Sequence, residues 1–157
     1  MKFHHICNEN GKEDTHWYVD LQVGNRITIK NMLVDTGASI TTLNIKSIAR
    51  IYGQGESEIR NYIIGSDITD KLTKYTATND IIKLYGVYIR NIQIGDTQLP
   101  ILKVYTRVDG YVSNLIGMDI LSNCKVELLH KVMGIADMDT SLYCPMIDGA
   151  GEIKKLR

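Results

Sequence analysis

The 157-residue chain predicts an all-β fold: a single domain of short strands forming a closed barrel or sandwich, with one or two short helices. Three observations carry that expectation. Apolar and polar residues alternate with the two-residue period of a half-buried strand in many short stretches. Turn-forming pairs such as Gly24-Asn25, Asn79-Asp80, Gly95-Asp96 and Asp109-Gly110 separate those stretches. Helical spacing is confined to short segments, clearest from Ile45 to Tyr52.

Order begins at Trp17. Residues 17–23 alternate, Gly24-Asn25 tolerates positive φ, and residues 26–30 alternate again, which makes a β-hairpin. Its second strand runs on through Met32, Leu33 and Val34, an apolar run suited to burial on both faces. Beyond the next turn, Asn44 caps a helix over 45–52 and Gly53 stops it, with Ile45, Ile48, Ala49 and Tyr52 facing a core. Residues 53–57 read as a loop and 59–64 as a further strand. A second hairpin follows, with arms at 71–77 and 81–85 around the turn Thr78-Asn79-Asp80. Residues 87–89 and 92–94 both alternate, but out of phase, and a β-bulge at Arg90-Asn91 would cause that slip. The strand at 99–105 has Pro100 near its start, which points to a strand end or a sheet edge. Leu115-Ile116-Gly117 is a short apolar element, 118–122 makes one helical turn, and 124–129 is a strand with 132–138 as its partner. Residues 1–15 read as a lead-in, mobile or with a short strand at 2–7; 16–138 form the domain; 139–157 are a tail without clear period.

Composition narrows the function. Lys plus Arg number 18, as do Asp plus Glu, so the formal net charge is zero and neither nucleic acid nor an anionic membrane is an expected partner. No apolar run approaches the roughly 18 residues of a membrane span. The N-terminus lacks the apolar core and cleavage site of a secretory signal, which predicts a cytoplasmic protein. Cys7, Cys124 and Cys144 are widely spaced and form no Cys-x-x-Cys pair, so reduced thiols are expected. His4, His5 and Cys7 are not followed by a second ligand set at metal spacing, and no metal or other cofactor is expected.

The stretch with chemistry in it is Met32-Leu33-Val34-Asp35-Thr36-Gly37-Ala38-Ser39, where an apolar strand delivers a carboxylate to the mouth of a tight turn. Asp35-Thr36-Gly37-Ala38, paired with the downstream Leu115-Ile116-Gly117-Met118-Asp119-Ile120-Leu121, resembles the retropepsin-like aspartic proteases, the single-domain relatives of pepsin that include the retroviral enzymes. Peptide hydrolysis by two carboxylates needs one ionised, to activate water, and one protonated, to polarise the carbonyl. Like charges about 3 Å apart cannot both ionise easily, so such a pair shares one proton. This chain holds one Asp-Thr-Gly, half of what the chemistry requires.

The resemblance therefore implies a homodimer that meets a peptide or protein substrate with Asp35 from each copy, because a twofold axis brings a residue up against its own counterpart. By the same resemblance Thr36 hydrogen-bonds across the axis, and the short strand at 2–7 in the lead-in lies at the dimer interface. Gly37 permits close backbone approach and offers its peptide to the substrate, and Gly117 belongs to an element threading beside the catalytic loop. The second hairpin is the flap, with its tip at Thr78, Asn79 and Asp80. Two departures stand out. Ala38 replaces the Ser of pepsin-like enzymes, removing a hydroxyl donor from the carboxylate and predicting an activity optimum only mildly acidic. Ser39 and Met118 replace the Asp and Arg that retroviral enzymes often pair, and the flap tip lacks glycine.

Other readings remain. Asp-Thr-Gly is by itself an ordinary turn closing a strand. A retropepsin fold also serves as a non-proteolytic dimerisation or peptide-binding module, and a small-molecule-binding β-barrel needs no dimer at all. Asp119 reads as a turn or helix-start residue, and His16 and His130 carry no assigned role.

Overall fold

The computed structural model describes residues 2–6, 16–66, 70–75, 78–94, 97–122, 124–127 and 146–155. The strands are β1 (Lys2–Ile6), β2 (Tyr18–Val23), β3 (Ile27–Val34), β4 (Lys71–Tyr75), β5 (Ile81–Ile94), β6 (Thr97–Thr106), β7 (Leu115–Ile116), β8 (Cys124–Glu127) and β9 (Met146–Lys155). The helices are α1 (Ile45–Tyr52), α2 (Glu56–Gly65) and α3 (Met118–Leu121). All nine strands join one sheet, whose path runs β4-β5-β2-β1-β9-β8, with β3 on β2, β7 on β3 and β6 on β5. The mostly β character holds. The expected closure does not: among the described residues the path is open, with β4 and β8 at its ends.

The first hairpin forms as expected, β2 against β3, with Gly24 at φ 57 in its turn. Within it lies a bulge that sequence pattern missed. Val19 opposes Met32 while Leu21 opposes Ile29, so β3 carries one residue too many around Asn31. Asn31 takes the extra residue at φ 60, its N–H donating to Asp20 Oδ1 at 2.9 Å. All the positive-φ residues other than glycine in the described chain are asparagines, Asn31, Asn79 and Asn91, the type whose short polar side chain best tolerates that region. The bulge lets Ile29, Met32 and Val34 all turn inward, and Met32 is fully buried.

Helix α1 is capped as its sequence predicts. Asn44 Oδ1 accepts from Ser47 N–H at 2.8 Å, and Gly53 ends the helix at φ 64 while Gln54 N–H reaches Ala49 O at 3.0 Å, the paired bonding of a left-handed C-cap. Residues 59–64 are helical, inside α2, and not a strand. Ile59 and Ile63, four apart, are the face it buries; Tyr62 and Ile64, which made the run look continuous, are exposed. Glu56 and Glu58 favour its first turn through the helix dipole, and Arg60 reaches back to Glu56 at 3.7 Å.

The phase slip at Arg90-Asn91 is real but is not a bulge. Register against β6 is unbroken from Tyr85–Thr106 to Ile94–Thr97, and the slip comes from Asn91 at φ 54. Strand β6 pairs with β5 alone among the strands, which accommodates Pro100. The tail, expected to lack period, contains β9, which pairs with both β1 and β8. The proposed strand partner at 132–138, like Leu128, Leu129, His130 and Cys144, lies outside the described residues. The core joins Val19, Leu21, Met32, Leu43, Ile48, Ile94, Val104 and Ile116, all fully buried and each worth about 1.5–3 kcal/mol relative to exposure.

Candidate active site

Strand β3 ends at Val34, and Asp35 follows it half-buried with Thr36 and Gly37 exposed. The strand end is fixed from both sides. Val34 N–H donates to Trp17 O at 2.8 Å, and on the other side β7 lies parallel, Leu33 against Leu115 and Val34 against Ile116. Asp35 N–H then donates to Ile116 O at 3.0 Å, so the backbone of the acid belongs to the sheet while its side chain does not. One carboxylate oxygen, Oδ1, accepts from Gly37 N–H at 2.9 Å, and Ala38 N–H turns back to Asp35 O at 3.2 Å. A Cβ on Gly37 would stand 3.2 Å from Oδ1, tight enough to disturb that bond.

The loop is clamped from beneath. Met118 N–H donates to Ala38 O at 2.8 Å, and Thr42 exchanges both backbone hydrogen bonds with Leu115. Gly117 sits where no side chain fits: its φ is ordinary, but a Cβ would fall within 3.0 Å of the nitrogen, carbonyl carbon and oxygen of Ile40. The expected support from Gly117 is thus a close backbone crossing. Gly117 N–H donates to the Thr41 hydroxyl at 3.1 Å, and that hydroxyl donates to Asp119 Oδ1 at 2.7 Å while Thr41 N–H donates to Asp119 Oδ2 at 2.9 Å. Asp119 is thereby a helix-start residue whose carboxylate holds the far end of the loop.

Sequence reasoning passed over Thr41 and Asn114. Thr41 is fully buried, and Asn114 is tied to Asn44 N–H and Ser47 Oγ, so the start of α1 and the approach to β7 are fastened together. The available signals were a β-branched hydroxyl six residues past Asp35 and an Asn immediately before the Leu-Ile-Gly element.

The second hairpin forms as predicted, β4 on β5, and its turn holds Asn79 at φ 64 with Thr78 Oγ1 donating to Asp80 Oδ2 at 2.8 Å. Residues 76 and 77 of its expected first arm lie outside the described residues. The hairpin meets the Asp35 loop through Lys74 Nζ, which donates to Ser39 Oγ at 2.8 Å. At its base Gly86 N–H donates to Asp70 O at 2.7 Å, and Lys103 from β6 lies across Gly86 to pair with Asp70. That hydrogen bond with Asp70, and a second with Tyr105, raise the Lys103 ammonium above the ordinary lysine range. Among the described residues no three His, Cys, Asp or Glu side chains group to hold a metal ion, and no helix is long and apolar enough to cross a membrane.

The Asp-Thr-Gly delivered by β3 thus lies beside the parallel apolar-Gly element of β7, the two motifs whose pairing resembles the retropepsin-like aspartic proteases. Comparison with known families agrees: residues 19–123 match the family described as gag-polyprotein putative aspartyl protease, and the chain belongs to that retropepsin-like aspartic protease family. Among solved structures it is similar to a retropepsin-like aspartic protease from Rickettsia conorii, with 25% identity, 80% of this chain and 81% of that one covered, and a TM-score of 0.47. No curated protein matches.

Proposed function

We propose that the protein is an aspartic endopeptidase whose site is completed by a second copy of the chain, Asp35 facing Asp35. The observation that carries the reading is the state of that carboxylate: half-buried at the end of a strand pinned on both sides, with Oδ1 held by Gly37 N–H. Membership of an aspartyl protease family supports the activity. The single Asp-Thr-Gly in the chain supports the need for a partner.

In the proposed reaction the ionised carboxylate removes a proton from water as the oxygen attacks the scissile carbonyl carbon, and the protonated one donates to the carbonyl oxygen. Collapse of the gem-diol intermediate breaks the C–N bond: the proton held by the first carboxylate passes to the departing nitrogen, and a hydroxyl proton of the diol returns to the second carboxylate as the carbonyl re-forms. Water is consumed, and two peptides leave. Thr36 braces the paired loops across the axis, Gly37 presents its backbone to substrate, Ala38 spares room without supplying a hydroxyl, and the hairpin tipped by Thr78, Asn79 and Asp80 covers the site.

Incubating wild type and Asp35→Asn with an unbiased peptide library, alongside sedimentation of both, tests the proposal. Cleavage by wild type alone, with both proteins dimeric, is the expected result. Equal cleavage by the variant would refute the role of Asp35, and a dimer that binds peptides without cutting them would favour the binding-module reading.

A further inference from the structure

The β4–β5 hairpin is cationic: residues 71–85 contain Lys71, Lys74 and Lys83 against the single acid Asp80. These lysines are not equivalent in place. Lys71 and Lys83 are exposed on the hairpin, whereas Lys74 is half-buried and turns toward the catalytic loop, where its ammonium meets Ser39 Oγ at 2.8 Å. Ser39 lies on the same turn as Asp35, next to Ala38, whose carbonyl is held by Met118 N–H. A chain lying over Asp35 and under the hairpin therefore passes the Lys74 ammonium.

The partner of that ammonium matters as much as its place. A hydroxyl satisfies one N–H but leaves the positive charge unneutralised, and Lys74 meets no carboxylate among the described residues. Lys103 shows the contrast, its charge taken up by Asp70 at the hairpin base. Of the acids on the loop, beneath it and at the hairpin tip, Asp119 is bonded to Thr41, Asp80 accepts from Thr78, and Asp35 is the proposed catalytic carboxylate, held by Gly37 N–H. Among the described residues no carboxylate pairs with Lys74, and the charge of Asp35 on the same turn belongs to the proposed reaction, so an acidic side chain of a substrate is what can pair with this ammonium.

We propose that Lys74 sets substrate specificity, selecting peptides with an acidic side chain beside the scissile bond. The inference rests on the protease reading, and in a twofold dimer the two Lys74 ammoniums would favour acids on both sides of the bond. The site is exposed enough for water and salt to screen the attraction, so the preference is several-fold and weakens with ionic strength.

The test uses three peptides that differ only in carrying Asp, Asn or Lys at two adjacent central positions of one library sequence, a cleaved one where cleavage occurs and otherwise the one that Asp35→Asn protein binds best. At low salt, wild type should show kcat/KM about tenfold higher for the Asp than for the Lys peptide, shrinking to about twofold in about 0.5 M salt. Lys74→Glu should invert the order and Lys74→Gln should flatten it. The same peptides are titrated into Asp35→Asn protein, with and without Lys74→Glu, by fluorescence anisotropy, where the same order and inversion are expected. Ordered binding without wild-type cleavage would sink the protease reading while leaving Lys74 as the acid-selecting group. Cleavage with no charge preference, binding with none, or a Lys74→Glu change that lowers all three peptides equally, as loss of a mere hairpin latch would, overturns the proposal.

Discussion

The loop at 35–42 and the hairpin at 71–85 meet at Ser39 and Lys74 but are held by different means. The loop is fixed through backbone: Asp35 to Ile116, Ala38 to Met118, Thr42 to Leu115, and Gly117 pressed against Ile40. Its side-chain clamps, Thr41 with Asp119 and Thr42 Oγ1 donating to Ser113 O at 2.6 Å, use buried threonines. The hairpin is anchored at its base by buried Leu84, the Tyr85–Thr106 pairing and the Gly86–Asp70 backbone bond, and its side-chain ties are the tips of two half-buried lysines, Lys74 on Ser39 and Lys103 on Asp70. Short buried bonds over-determine a geometry, whereas exposed lysine contacts contribute little and exchange readily with water. The proposed site, whose acid must stay still and whose cover must move, calls for this division.

Substitutions on the two sides should differ in size. Gly117→Ala forces a Cβ into the Ile40 backbone, and we expect a loss of about 3 kcal/mol or more in urea unfolding, with activity falling alongside. A variant of near wild-type stability would mean the crossing is looser than its geometry. Asp119→Ala removes three hydrogen bonds and leaves the buried Thr41 O–H without its acceptor, although Gly117 N–H still donates to that oxygen, costing about 1–3 kcal/mol. Thr41→Val with Asp119→Ala should cost less than the sum of the two single changes, which a double-mutant cycle would read out.

On the hairpin, Lys103→Met should change global stability by less than about 1 kcal/mol, because the pair it breaks is solvent-exposed. Its effect should be local: faster amide hydrogen exchange at the base of the hairpin, with exchange at 35–42 unchanged. Uniform acceleration across both regions would break the contrast drawn here. The smallest effect belongs to Thr106, fully buried with a hydroxyl that has no partner among the described residues. Thr106→Val should be neutral or stabilising by about 1 kcal/mol, readable as a small rise in Tm.

How far the sequence revealed these regions follows from the same physics. Local signals were legible: the alternating hairpins, the Asn44 and Gly53 caps, and the Asp-Thr-Gly turn each depend on neighbours a few residues away. Helix α2 was misread because Tyr62 and Ile64 are apolar yet exposed, which hid the Ile59–Ile63 spacing inside a run that resembles a strand. The Asn31 bulge was missed although it aims Met32 and Val34 inward ahead of Asp35; its cause, the Asp20 carboxylate, lies across the hairpin. Strand β9 and the Thr41–Asp119 clamp depend on partners far away in sequence, and no local period records them. At the site, Asp35 and Gly117 were readable as motifs, whereas Lys74 acquires meaning only when the hairpin sets it on Ser39.

The central claim is that one chain is half a site, and mixing subunits tests it most directly. Wild-type and Asp35→Asn chains, unfolded together and refolded at constant total concentration, should give activity that follows the square of the wild-type fraction, about one quarter of full activity in an equal mixture. Activity that falls linearly, to about one half, would mean that a single copy of Asp35 suffices and would contradict the account.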